Sequence, residues 1–101
     1  MLPEIVQKQS FLEALCRRFL VQRLEVFGSA ASGEFRVAES DLDFLVQFDT
    51  DSPGYADRYF GLLDALEALF GRPVDLVVAS SITNPFSRES VDRTKALLYA
   101  A

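Results

Sequence analysis

The chain has 101 residues, half of them hydrophobic and a quarter charged, with a net charge of −5. This composition fits one folded domain over residues 1–101 rather than a disordered polymer, and its acidity argues against direct nucleic-acid binding through phosphate contacts. Histidine is absent and Cys16 is the lone cysteine, which excludes histidine-dependent protease triads, internal disulfides and cysteine-built metal clusters.

Met1 to Lys8 lacks the basic segment and apolar run of a secretory signal, and no apolar stretch approaches the ~20 residues of a membrane span. With a single unpaired thiol, the expectation is a cytoplasmic protein without a membrane partner. From Pro3 to about Leu20, the apolar residues Ile5, Leu12, Leu15, Cys16 and Phe19 recur at helical spacing. That predicts one amphipathic helix packed on a sheet. Val21 to Phe27, short and rich in branched and aromatic residues, reads as the first strand.

Gly28-Ser29 ends that strand. Glycine lets a ligand approach the backbone closely, and a short helix starting near Ser29 would offer unpaired amides and a hydroxyl as a phosphate cradle. The plain alternative is a strand-to-helix turn. Gly33 to Ser40, with Glu34, Arg36 and Glu39, reads as an exposed polar loop.

The next strand runs from Asp41 to Phe48 and opens with two carboxylates. Residues i and i+2 share a face, so Asp41 and Asp43 project together, their backbones ~6–7 Å apart, while Leu42, Phe44, Val46 and Phe48 take the other face. Two like charges so placed repel unless a cation sits between them. A divalent metal carrying phosphate answers that need; a solvated strand end is the plain reading.

Asp49 to Gly54 is a turn in which Asp51 or Ser52 is placed to cap the helix that follows. That helix runs from Tyr55 to Phe70 and stops at Gly71, before Arg72 and Pro73. Arg58 on it reads as a solvated charge. Val74 to Ala79 is a third strand, apolar but for Asp75. A carboxylate there either touches water or an arginine at the strand mouth, or joins Asp41 and Asp43 as a third metal ligand. The second reading is adopted. Asn84-Pro85 opens a final helical turn or two. Arg88, Arg93 and Lys95 either pair with an acidic cleft or a triphosphate, or are solvated. The apolar tail Ala96–Ala101 should pack on the body or on a partner. The fold class is therefore α/β, a small mixed β-sheet of at least three strands with flanking helices.

Gly28-Ser29, Asp41-x-Asp43 and Asp75 together resemble the signature of the DNA polymerase beta nucleotidyltransferase superfamily. The short chain, with Pro53-Gly54-Tyr55, Phe70–Val77 and Asn84–Ser90, looks like its minimal nucleotidyltransferase branch, antitoxins encoded beside HEPN-domain toxin RNases. The resemblance implies that Asp41 and Asp43 hold two magnesium ions (Mg2+). Asp75 would bind one of them and help deprotonate the attacking hydroxyl. Gly28 and Ser29 would hold the phosphates of a nucleoside triphosphate. AMP would then pass from ATP to a tyrosine hydroxyl of a cognate HEPN-family toxin, silencing it. One position departs: Ser32 stands where the family carries arginine in Gly-Ser-x-Ala-Arg-Gly, and Arg36 is the nearby candidate to replace it. Two further readings follow. One is an antitoxin that neutralises its toxin by binding alone. The other is a small-molecule nucleotidyltransferase of the aminoglycoside-modifying kind, for which so short a chain leaves little room.

Overall fold

The computed structural model describes residues 2–32 and 41–101. The expected N-terminal helix is two helices, α1 (Pro3–Gln7) and α2 (Gln9–Arg18). Hydrogen bonds continue through the joint, from Lys8 N–H to Glu4 O and from Leu12 N–H to Lys8 O. Lys8 itself leaves helical angles, with φ −102° and ψ 18°. Ile5 and Leu12, on either side of the joint, are both fully buried in the core. The Lys8 ammonium donates to Leu69 O at 2.6 Å.

The remaining elements are β1 (Val21–Phe27), α3 (Ser29–Ser32), β2 (Leu42–Phe48), α4 (Tyr55–Phe70), β3 (Val74–Val78), a 3-10 turn (Ala79–Ser81), α5 (Pro85–Thr94) and β4 (Ala96–Ala100). The strands form one sheet in the order β3-β2-β1-β4. β1 runs antiparallel to β2 and β4, and β2 is parallel to β3. A parallel pair needs a long crossover, and α4 supplies it. The architecture is a mixed α/β sheet with flanking helices, as expected. The apolar tail, though, is a fourth strand. Five residues carry too short a pattern to separate strand from loop, and it is the open edge of β1 that makes β4 a strand.

Two local expectations need correction. Gly54, with φ 78°, stands at the N-terminus of α4 without a side-chain cap. Asp51 and Ser52 do not cap it. Instead the Asp49 carboxylate accepts the Asp51 N–H at 2.9 Å and the Ser52 hydroxyl at 3.1 Å, holding the turn. Arg58 is not solvated but buried, only 8% exposed. Its Nη2 donates to Asp49 O (3.0 Å) and Ser52 O (2.9 Å), and its Nε to Pro53 O (3.2 Å). The rings of Phe48 and Tyr55 lie 5.5 and 6.0 Å from the guanidinium carbon. One turn into α4, this side chain is placed to fold back over the loop that precedes the helix.

Other ends match the sequence. Gly71 closes α4 with φ 65°. Asn84 Oδ1 accepts the amides of Phe86 (2.8 Å) and Ser87 (3.4 Å). α5 then continues for ten residues rather than the turn or two expected. The expected loop Gly33–Ser40, Arg36 included, lies outside the described residues.

The sheet divides the molecule. One face carries Leu24, Val26, Leu42, Phe44, Val46 and Leu76 into a core shared with Leu12, Cys16, Leu62 and Leu66 of α2 and α4. Phe44 and Phe70 meet there with ring centroids 5.9 Å apart. Burial, the leading cause, pushes the Cys16 thiol up to about 12, so this sulfur is a packing group, not a nucleophile. The other face carries Glu25, Asp43, Leu45 and Asp75, and is covered in part by α5, which packs on β1 and α3. Among the described residues, no helix is long and apolar enough to cross a membrane.

Candidate active site

β2 and β3 run in parallel register, with Asp43 opposite Asp75. Neighbouring strands lie ≈ 4.8 Å apart and opposed residues share a face, so topology brings together two carboxylates that are 32 positions apart in the chain. Asp41 lies immediately before β2, on the exposed side of its mouth. On the other flank, Phe27 pairs with Asp43, placing Gly28 just beyond the end of that ladder. Gly28 has φ +72°, and a Cβ built on it would stand 2.8 Å from Asp43 Oδ2. A side chain there would therefore meet both strain and a carboxylate. Ser29 opens α3 directly after this turn.

The electrostatics follow from this crowding. Burial raises the Asp43 carboxyl from 3.8 to about 6, with Asp75 and then Asp41 adding repulsion. The strand register thus brings Asp43 and Asp75 together, and Asp41 adds its charge from just outside β2. Tyr59, reaching up from α4, donates its hydroxyl to Leu76 O at 2.6 Å. Burial, followed by the charge of Asp75 and then Tyr55, raises its phenol above the usual range.

The sign of the resulting pH dependence is fixed. From about pH 4 to about pH 6 the folded chain keeps a proton on Asp43 that the unfolded chain has released. Folding takes up that proton, so stability should fall as pH rises through this window. The expected result is a lower urea midpoint above the window than below it, with this component absent in Asp43→Asn.

Among the described residues, no three carboxylate or thiol side chains gather into a ready-made metal cage. The donor set still fits magnesium, a hard cation that takes one or two carboxylates and leaves its other positions to water and substrate phosphates. The repulsion around Asp43 is what such a cation would relieve.

The cations sort differently from one another. Lys95 Nζ pairs with Asp92 at 3.0 Å and Glu25 at 3.8 Å, and Arg93 with Glu89 at 3.4 Å. Glu25, buried on the Asp43 face, is also met by Arg23 Nε at 3.2 Å. Arg88 lines a cavity of about 300 Å³ with Gln47, Phe48, Tyr55 and Ser80. That cavity lies at the opposite ends of β2 and β3 from the aspartates. Sequence reading missed one further contact, between the Gly28 N–H and Thr94 Oγ1 at 3.0 Å. No local pattern could reveal it, because the partners are 66 positions apart.

A nucleotidyltransferase domain family matches residues 8–97 of the chain. A candidate protein adenylyltransferase of Methanocaldococcus jannaschii is 35% identical over 89 residues, 88% of this chain and 86% of the relative. The protein adenylyltransferase MntA of Thermococcus cleftensis is 39% identical over 74 residues, 73% of this chain and 72% of the relative. Among solved structures, a candidate minimal nucleotidyltransferase superposes with a TM-score of 0.76 at 36% identity, covering 95% of both chains. A chain from the complex of tri-AMPylated Shewanella oneidensis HEPN toxin with MNT antitoxin gives a TM-score of 0.63 at 21% identity, covering 96% of this chain and 73% of that one. This last likeness is one of fold.

Proposed function

Since this chain belongs to the nucleotidyltransferase domain family, we propose that it is an antitoxin that transfers AMP from ATP to a tyrosine hydroxyl of a HEPN-family toxin, silencing it. The observation that carries this reading is the juxtaposition of Asp43 and Asp75 beside a glycine whose missing side chain leaves Asp43 accessible. A protein acceptor is supported by the relative named protein adenylyltransferase, and a toxin partner by the fold shared with a chain of the toxin–antitoxin complex.

Asp41, Asp43 and Asp75 would hold two magnesium ions. When bound, magnesium supplies the positive charge that neutralises the transferring phosphate and eases ionisation of the attacking hydroxyl. Asp75, exposed at its strand mouth, would take the proton of the incoming tyrosine. The tyrosine oxygen bonds to the α-phosphorus as the bond from that phosphorus to the β-phosphate bridge oxygen breaks, and pyrophosphate leaves. Gly28 would serve the phosphates by the room it leaves, and Ser29 by its place at the head of α3. The alternative of neutralisation by binding alone is favoured by one residue, Ser32, in place of the arginine of the resembled motif.

Intact-mass spectrometry tests the reading. The protein, ATP, magnesium and a cognate HEPN-family toxin are mixed, and the toxin should gain one or more adenylate masses. An unchanged toxin mass in a stable complex would overturn transfer and leave masking. Raising magnesium above pH 6 should also lift the urea midpoint of the wild type but not of Asp43→Asn, because a ligand that binds only the folded state stabilises it.

A further inference from the structure

We propose that Thr94 is the positioning residue that fixes the Gly28 turn against Asp43, making the end of α5 part of the candidate active site. The bond itself is independent of the transferase reading; its kinetic consequence rests on that reading.

Both backbone ladders of β1 stop short of Gly28. β1 pairs with β2 as far as Phe27 and with β4 as far as Val26. The Gly28 N–H points beyond both. A backbone donor in partly buried surroundings needs a partner, and the Thr94 hydroxyl accepts it at 3.0 Å. The same oxygen lies 3.4 Å from Ser90 O and 3.5 Å from Val91 O, one turn back in α5. A hydroxyl has one proton to give and two lone pairs to accept with. Thr94 therefore accepts from the turn and donates into its own helix. Valine has the shape without the chemistry; serine has the chemistry with less bulk.

The bond carries more than its own worth because α5 holds the sheet weakly. Val91 is the one buried residue of this helix. The hydroxyl keeps α5 in register with the turn, and the turn stands so close to Asp43 that a Cβ added at Gly28 would lie 2.8 Å from its Oδ2. Two things follow. The Gly28 amide is already committed and does not donate to a phosphate while this bond lasts. And any shift of α5 is passed to the wall of the site.

The test compares wild type, Thr94→Val and Thr94→Ser. Amide hydrogen exchange at Gly28, followed by NMR without nucleotide, should be slow in the wild type and Thr94→Ser, and about tenfold or more faster in Thr94→Val. In AMP transfer, Thr94→Val should lose about tenfold in kcat/KM, divided between kcat and KM because the turn serves both the seating of the triphosphate and the geometry of transfer. Thr94→Ser should recover it. A merely structural role would lower the thermal midpoint and leave both kcat and KM untouched. Equal Gly28 exchange in all three proteins would overturn the anchor. Altered exchange with identical kcat and KM would overturn the positioning role. If the wild type transfers no AMP, the transferase reading fails while Gly28 exchange still decides the anchor.

Discussion

Asp43→Asn is expected to lower AMP transfer by about a thousandfold or more while the fold stays intact. Asparagine keeps the shape of the side chain and removes the charge. If the bound cations contribute several kcal/mol of transition-state stabilisation, losing one anionic ligand forfeits about 4 kcal/mol, which is a factor near a thousand. Asp75→Asn should cost a similar factor, and the double variant little more than either alone, since groups acting as a unit are not additive. Stability should move the other way. Asp43 is crowded by burial and by the charges of Asp75 and Asp41, so the neutral variant should be at least as stable as the wild type above about pH 6. Transfer is read by intact mass and stability by urea titration of the same preparations. Undiminished transfer by Asp43→Asn would remove this locus from the chemistry. Full neutralisation of the toxin by an inactive variant would show that masking suffices.

The second large effect lies at the far end of the sheet. Arg58→Ala is expected to destabilise the chain by about 3 kcal/mol, a drop of roughly 10–20 °C in Tm. The guanidinium binds three carbonyls from Asp49, Ser52 and Pro53 and lies against two rings. Hydrogen bonds from a charged donor are worth more than neutral ones, and truncation also strips packing from Phe48 and Tyr55. Water recovers part of the loss because the loop is close to the surface. Arg58→Lys should recover only a fraction, because a point charge cannot span the fork that guanidinium fills. Catalysis well below the transition should be unaffected, since Arg58 meets the C-terminal end of β2, away from Asp43. A loss under about 1 kcal/mol in urea titrations would mean that the Asp49 carboxylate alone holds this turn.

Arg58 shows why sequence reading stops where it does. In the sequence it is one charge on an amphipathic helix, and charges on such helices are ordinarily wet. Its burial depends on a loop whose carbonyls turn inward, which no periodicity announces. Glu25 is the same case in a strand, buried because Arg23 and Lys95 come to it. β4 is a strand because β1 has an edge to fill. The break at Lys8 is equally silent in the sequence, since helical spacing continues across it.

What the sequence alone determined is local and periodic. β1 begins and ends where branched and aromatic residues do, α4 stops at the glycine that can take a positive φ, and Asn84 caps α5 because its side chain reaches the next free amides. The aspartates were legible as candidates because carboxylates are out of place in apolar strands. Tertiary structure alone decided the rest. Parallel pairing set Asp75 opposite Asp43, the end of two ladders left Gly28 needing a partner, and α5 brought Thr94 to supply it. Those contacts join residues tens of positions apart, and such distances are closed by the burial of one shared core, not by any pattern that a short window of sequence carries.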